Sequence, residues 1–152
     1  MQPSQAEFHK TEVLFMGNII PATDVTASAL NAERIRLDVV AQNLANINTT
    51  HGPDGNVYRR KQVVFESVLD QASGANKVQV SSIQQDSTPL VRVHNPGHPD
   101  ADKDGMVTMP NVNMLEEIVD MMTASRSYEA NLQALRTGRQ FFHNALDIGS
   151  AK

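Results

Sequence analysis

The sequence predicts a mostly α fold with a small β insert: long N- and C-terminal helices pair as a coiled coil, and short β-strands lie between them. Three observations predict it. Asp24 to Asn48 contains neither Gly nor Pro and carries apolar residues at helical steps. A second, longer stretch beyond Pro110 repeats its large apolar residues every seven positions. Between the two, the pattern switches to the alternation of half-buried strands.

Residues 1–22 read as an N-terminal extension, polar at first and ending at Pro21, with Met16 as an alternative start. The N-terminal helix occupies residues 23–50. Its apolar face is Leu30, Leu37, Val40, Ala41, Leu44 and Ile47, spaced by three and four. Thr23, Asp24 or Thr26 can cap its start. Glu33 with Arg36, and Arg34 with Asp38, form helix-neighbour ion pairs on the opposite side, each contributing a few tenths of a kcal/mol.

Residues 51–110 form a β-rich insert with loops. Pro53-Asp54-Gly55 is a turn, because Pro presets φ and Gly accepts φ > 0. Val57 to Val68, then Val78, Val80 and Ile83, then Leu90, Val91 and Val93 read as a few strands, enough for one small sheet. Asn95 to Gly105 is rich in Pro, Gly and Asn and reads as a loop leading toward the second helix.

Residues 111–152 hold the C-terminal helix. Met114, Met121, Tyr128, Leu135 and Phe142 stand seven apart, and Ile118, Leu132 and Leu146 follow three of them by four. That is the a/d seam that makes helices wrap around one another. Asn113 with Glu116 resembles a capping box. Glu116, Glu117 and Asp120 near the start, and Arg126, Arg136, Arg139 and His143 toward the end, complement the helix dipole. A helix from Asn113 to Leu146 is ~50 Å long, whereas a globule of 152 residues has a radius of gyration of only ~15 Å. Much of the seam must therefore meet something else. The expected assembly interface is Leu30, Leu37, Leu44 and Ile47 on the first helix. On the second it is Met114, Ile118, Met121, Tyr128, Leu132, Leu135, Phe142 and Leu146.

Composition narrows the function classes. Aromatics make up 5% of the chain, with no Trp, so a thick self-sufficient core is not expected. A net charge of −4 argues against nucleic acid, which calls for clustered Lys and Arg. The absence of Cys removes disulfides, thiolate chemistry and Cys-bearing zinc sites. No apolar run approaches the ~20 residues of a transmembrane segment. Glu7 and Glu12 stand where a secretory signal needs positive charge. If the protein leaves the cytoplasm, it does so without a cleaved signal.

Few motifs carry chemistry. Asp100-x-Asp102-x-Asp104-Gly105 matches the first half of an EF-hand loop, the basis of a calcium-binding alternative. However, the twelfth position is Asn111 rather than Glu, and Pro96, Pro99 and Pro110 exclude the flanking helix. His94 and His98 have the spacing of a helical zinc pair, but the prolines and glycine around them forbid that helix. No nucleophile elbow, P-loop or dinucleotide fingerprint is present, so no catalytic residue, metal or cofactor is expected.

Ala27 to Thr49, with the core Asn43-Leu44-Ala45-Asn46 followed by Thr49, resembles the N-terminal signature of flagellar axial proteins. Gly52-Pro-Asp-Gly-x-x-Tyr58-Arg-Arg-Lys-x-Val63-Val-Phe65 narrows the resemblance to the basal-body rod proteins, nearest to those of the proximal rod. So do Asn95 to Gly105, Met109 to Val112 and Met122 to Leu132. The match covers residues 24–149. The N-terminal extension is longer than the family's, and the tail Leu146-Asp-Ile-Gly149-Ser-Ala-Lys departs from its usual ending. The resemblance implies a structural subunit of the rod that crosses the periplasm, exported unfolded by a type III apparatus. Its implied partners are copies of itself, other rod subunits, and inner-membrane ring and export-gate proteins. Another rod or hook-region subunit is the alternative within the same class.

Overall fold

In a computed structural model, the backbone is described for residues 5–71 and 73–150, and the side chains for residues 22–71 and 73–148. Two long helices enclose four strands: α1 (Gln5–Ala45), β1 (Lys61–Asp70), β2 (Ala75–Gln85), β3 (Val91–His94), β4 (Met106–Met109) and α2 (Met114–Ser150). The strands form two separate antiparallel hairpins, β1–β2 and β3–β4, rather than the one small sheet expected.

The first helix starts earlier than its sequence suggested. α1 is already helical at Gln5 and passes through Pro21 and the expected caps Thr23, Asp24 and Thr26. A single proline removes one intrahelical hydrogen bond without obliging the helix to end. Inside the helix, Thr26 bonds back to the Ala22 carbonyl at 2.9 Å, and Ser28 to Val25 at 2.7 Å, so these hydroxyls serve the helix body. Of the expected ion pairs, Arg36 lies 4.0 Å from Glu33, while Arg34 turns to Asn31 at 3.1 Å.

α1 and α2 pack along each other in opposite directions. The pairs Asn43–Glu117 and Arg36–Asp120 define the crossing near the hairpins. Ala22 and Thr26 line a groove with Leu135 to Ile148 at the far end. Ala32, Val39 and Val40 of α1 and Ala124 of α2 are buried. On α2, Glu117, Met121, Ala124, Tyr128, Asn131, Leu135, Gly138 and Phe142 recur at alternating steps of four and three, and none is exposed. The small Ala124 is fully buried in this stripe.

The β1–β2 hairpin lies back along α1. The Val78 amide donates to Ser28 Oγ at 3.1 Å, and Lys77 sits 2.7 Å from Asp70 and 3.5 Å from Asp24. The strand Met106–Met109 escaped the sequence reading. It is only four residues long and follows a glycine, too short to show a period. Its pairing with β3 makes Asn95–Gly105 the connection of a hairpin, not the lead-in to α2. Gly105 closes that connection at φ +70°, and a Cβ there would stand 3.0 Å from the His94 ring. Asn113 caps α2 as expected. Its Oδ1 accepts from the Leu115 amide at 3.1 Å, while its Nδ2 donates to Glu116 at 3.0 Å.

Candidate functional site

Where α1, α2 and the start of β1 meet, a polar network is buried. Its hub is Asn43, 1% exposed. The Lys61 amide can only donate and its carbonyl can only accept, which fixes the orientation of the Asn43 side chain. Oδ1 accepts from the Lys61 N–H at 2.9 Å and from the Tyr58 hydroxyl at 2.9 Å. Nδ2 donates to the Lys61 carbonyl at 2.9 Å and to Glu117 Oε2 at 3.0 Å. Both amide protons and both oxygen lone pairs are thereby used. No other side chain of this size could satisfy the same four groups.

Glu117 has no exposed surface. Its charge is met by Arg60, whose Nε donates to Oε1 at 2.5 Å. The same guanidinium reaches Asp120 at 3.3 Å and Asp86 at 3.6 Å, and Asp120 also meets Arg36 at 3.3 Å. Burial alone would weaken the protonation of Arg60. The Glu117 hydrogen bond and the charges of Glu117, Asp120 and Asp86 more than offset it, so the pKa stands above its ordinary value. Burial, and then the negative charge of Glu117, push the Tyr58 hydroxyl up as well, keeping it a neutral donor. The Arg60 backbone is held too. Its amide donates to Asn111 Oδ1 at 2.8 Å, and Asn111 passes the link to the Thr88 carbonyl at 3.1 Å.

The other signature residues divide their work. Asn46 closes the end of α1, with Nδ2 donating to the Gln42 carbonyl at 2.8 Å and Oδ1 accepting from the Thr49 hydroxyl at 3.1 Å. The Thr49 carbonyl accepts from the Tyr58 amide at 3.2 Å, turning the chain back toward Asn43. Leu44 is half-buried and Ala45 exposed. Of the expected interface residues, Leu30, Leu37, Ile47, Met121, Tyr128, Leu132, Leu135 and Phe142 are half-buried in the single chain. Met114, Ile118 and Leu146 are exposed at 53%, 41% and 47%.

The Asp-rich loop is tied to its own hairpin and to the turn after α1. Asp102 Oδ1 accepts from the amides of Asp104 and Met106, both at 2.9 Å, and Oδ2 meets Arg92 at 2.6 Å. Asp100 takes the Thr50 hydroxyl at 2.6 Å and lies 3.4 Å from His51. Among the described residues, no group of three or more His, Asp or Glu is arranged to hold a metal ion.

These bonds depress three carboxyl groups below their ordinary value of 3.8. Thr88 acts mainly on Asp86, Thr50 mainly on Asp100, and the Met106 amide mainly on Asp102. A group with a lowered folded-state pKa favours the native state above its unfolded-state value, and that contribution is lost as pH falls through the folded-state value. Thermal stability is therefore expected to hold down to about pH 4 and to fall below it. In Asp100→Asn the acid-side fall should be shallower; a melting curve with undiminished acid dependence would contradict this.

Comparison with known proteins identifies the family. Residues 24–53, which carry Asn43 and Asn46, match the family of flagella basal body rod proteins. Residues 103–148, which carry Glu117 and Asp120, match the family described as flagellar basal body rod FlgEFG protein C-terminal. The chain is 43% identical to the flagellar basal-body rod protein FlgC of Salmonella typhimurium, over 83% of this chain and 94% of that protein. It is 42% identical to that of Bacillus subtilis, over 83% and 95%. With that of Borreliella burgdorferi it shares 38% over 86% and 97%. Among the described residues, no helix is long and apolar enough to cross a membrane. The chain belongs to the FlgC family of flagellar basal-body rod proteins.

Proposed function

We propose that this protein is a structural subunit of the proximal rod, assembling through its terminal helices with copies of itself and with other rod subunits to transmit motor torque. One observation carries the reading. Over residues 115–122, α2 is apolar on two opposite faces. Its inner face lies on α1, while Leu115, Ile118, Val119 and Met122 on the outer face are 41–75% exposed. A helix segment apolar on both faces belongs in a buried setting. The far end adds an open apolar groove of about 510 Å³ between Ala22–Thr26 and Ala134–Ile148, beside Phe141 at 62% exposure. In the assembled rod these surfaces are covered by helices of neighbouring subunits in coiled-coil-like packing, to which the exposed Met114, Ile118 and Leu146 contribute among the interface residues named from the sequence.

The same reading makes the protein an exported, non-enzymatic component of the periplasmic rod, delivered without a cleaved signal. Its further partners are then the inner-membrane ring and the export gate. A cysteine-free chain with few aromatics suits unfolding and threading.

The absence of cysteine also supplies a clean test. Val119→Cys should react readily with a maleimide in dilute purified protein and be protected in isolated basal bodies. Equal labelling in both would remove the outer face of α2 from the assembly surface.

A further inference from the structure

Glu117 lies on the face of α2 that packs against α1, in a stripe otherwise made of small, apolar or neutral polar residues. A fully buried carboxylate costs free energy that one good ion pair rarely returns, and apolar replacements of such pairs are often as stable or more so. Helix pairing in this chain therefore does not need Glu117. Stability is a weak explanation for its presence, and registration is a better one.

The apolar stripe itself specifies register poorly. Its residues repeat every seven positions, and its alternate members Ala124, Asn131 and Gly138 are small. Sliding α2 along α1 by seven residues, two turns or about 10.5 Å, exchanges one such layer for another. The polar network tolerates no such slide. Asn43 on α1 and Glu117 on α2 are 3.0 Å apart, and Arg36 on α1 and Asp120 on α2 are 3.3 Å apart. The segment joining them comes from neither helix. Tyr58 and the Lys61 backbone grip Asn43, while Arg60 reaches across to Glu117, Asp120 and Asp86. A shifted helix would leave Glu117 buried without its cation.

We propose that Tyr58–Lys61 is a register strap: it fixes the axial stagger of α1 against α2, because only one stagger lets Arg60 neutralise Glu117. The role acts within a single chain, so it stands or falls independently of the rod-assembly reading. Its consequence is that the outer faces of both helices are presented in one fixed alignment.

Spin labels on Asp38→Cys and Arg126→Cys, both exposed positions, report the stagger as a distance distribution in dilute monomer. The parent should give one narrow distance. Arg60→Met with Glu117→Leu removes both charges at similar volume. It should keep a cooperative melt but add a second distance in at least about a tenth of the molecules, the upper end for a minor state. A folded double variant with the parent's single narrow distance would overturn the strap and leave the network as mere packing. Should the double variant fail to fold, Glu117→Gln decides. It keeps one acceptor oxygen for Arg60 but not the charge, and is expected to broaden the distribution; an unchanged one overturns the proposal equally.

Discussion

Replacing Arg60 by Ala should destabilise the monomer by about 3–5 kcal/mol, the range for removing one partner of a buried ion pair. The cost comes from what is left behind. Glu117, with no exposure, would keep only the Asn43 amide as a hydrogen-bond partner among the contacts described, and Asp120 and Asp86 would lose their shared cation. Lys at the same position should recover only part of the loss, because an ammonium has no planar fork to meet three carboxylates at once. Urea unfolding followed by circular dichroism measures the difference. A change under about 1 kcal/mol, the size of an exposed ion pair, would mean that Glu117 is solvated in the native protein and that the network is incidental.

Leu132→Asp should abolish swimming at normal expression. Leu132 is half-buried in the single chain, at the side of the stripe that faces α1. One flank therefore stays open for a neighbouring helix. A carboxylate at that flank remains hydrated in the monomer, but would be desolvated without a partner once a second helix covers it, at a cost of several kcal/mol. Every subunit of a rod would carry the same defect. Helix content of the purified variant separates the two possible causes, since a folded monomer that cannot support motility places the fault at an interface. Full swimming would remove Leu132 from the assembly surface.

Much of the fold was legible because it rests on local signals. Periodicity marked both helices, a β-branched and aromatic run marked β1, alternation marked β2, and the Asn113–Glu116 pair marked the start of α2. Legibility failed where the signal was short or tertiary. Pro21 suggested a helix boundary that the surrounding helix simply ran through, and Met106–Met109 was too brief to show a pattern. Within the single chain, Met121, Tyr128, Leu135 and Phe142 share the α1-facing stripe with Ala124, Asn131 and Gly138, whereas Met114, Ile118 and Leu146 are exposed. Burial selected small residues where hydrophobicity alone had pointed to large ones.

The network was the largest omission. Asn43 was recognised as part of a signature, yet its partners are scattered: Tyr58 lies 15 residues on and Glu117 74. Glu117 and Asp120 were read as charges for the helix dipole, when both are tied to arginines across the interface. One clue was available. Counting back in steps of three and four from Phe142, through Gly138 and Leu135 to Ala124 and Met121, arrives at Glu117, an acid on an inward face. Such a residue requires a cation from elsewhere in the chain.

If neighbouring subunits complete the terminal helices as proposed, hydrogen–deuterium exchange will show it. In dilute monomer, residues 36–43 and 117–124 should be the best-protected helical segments, because the polar network holds them. Residues 128–148, beside the open groove, should exchange fast. In isolated basal bodies the latter segment should become as slow as the former. Strong protection of residues 128–148 in the monomer, or continued fast exchange in the assembled rod, would rule out completion by neighbouring subunits.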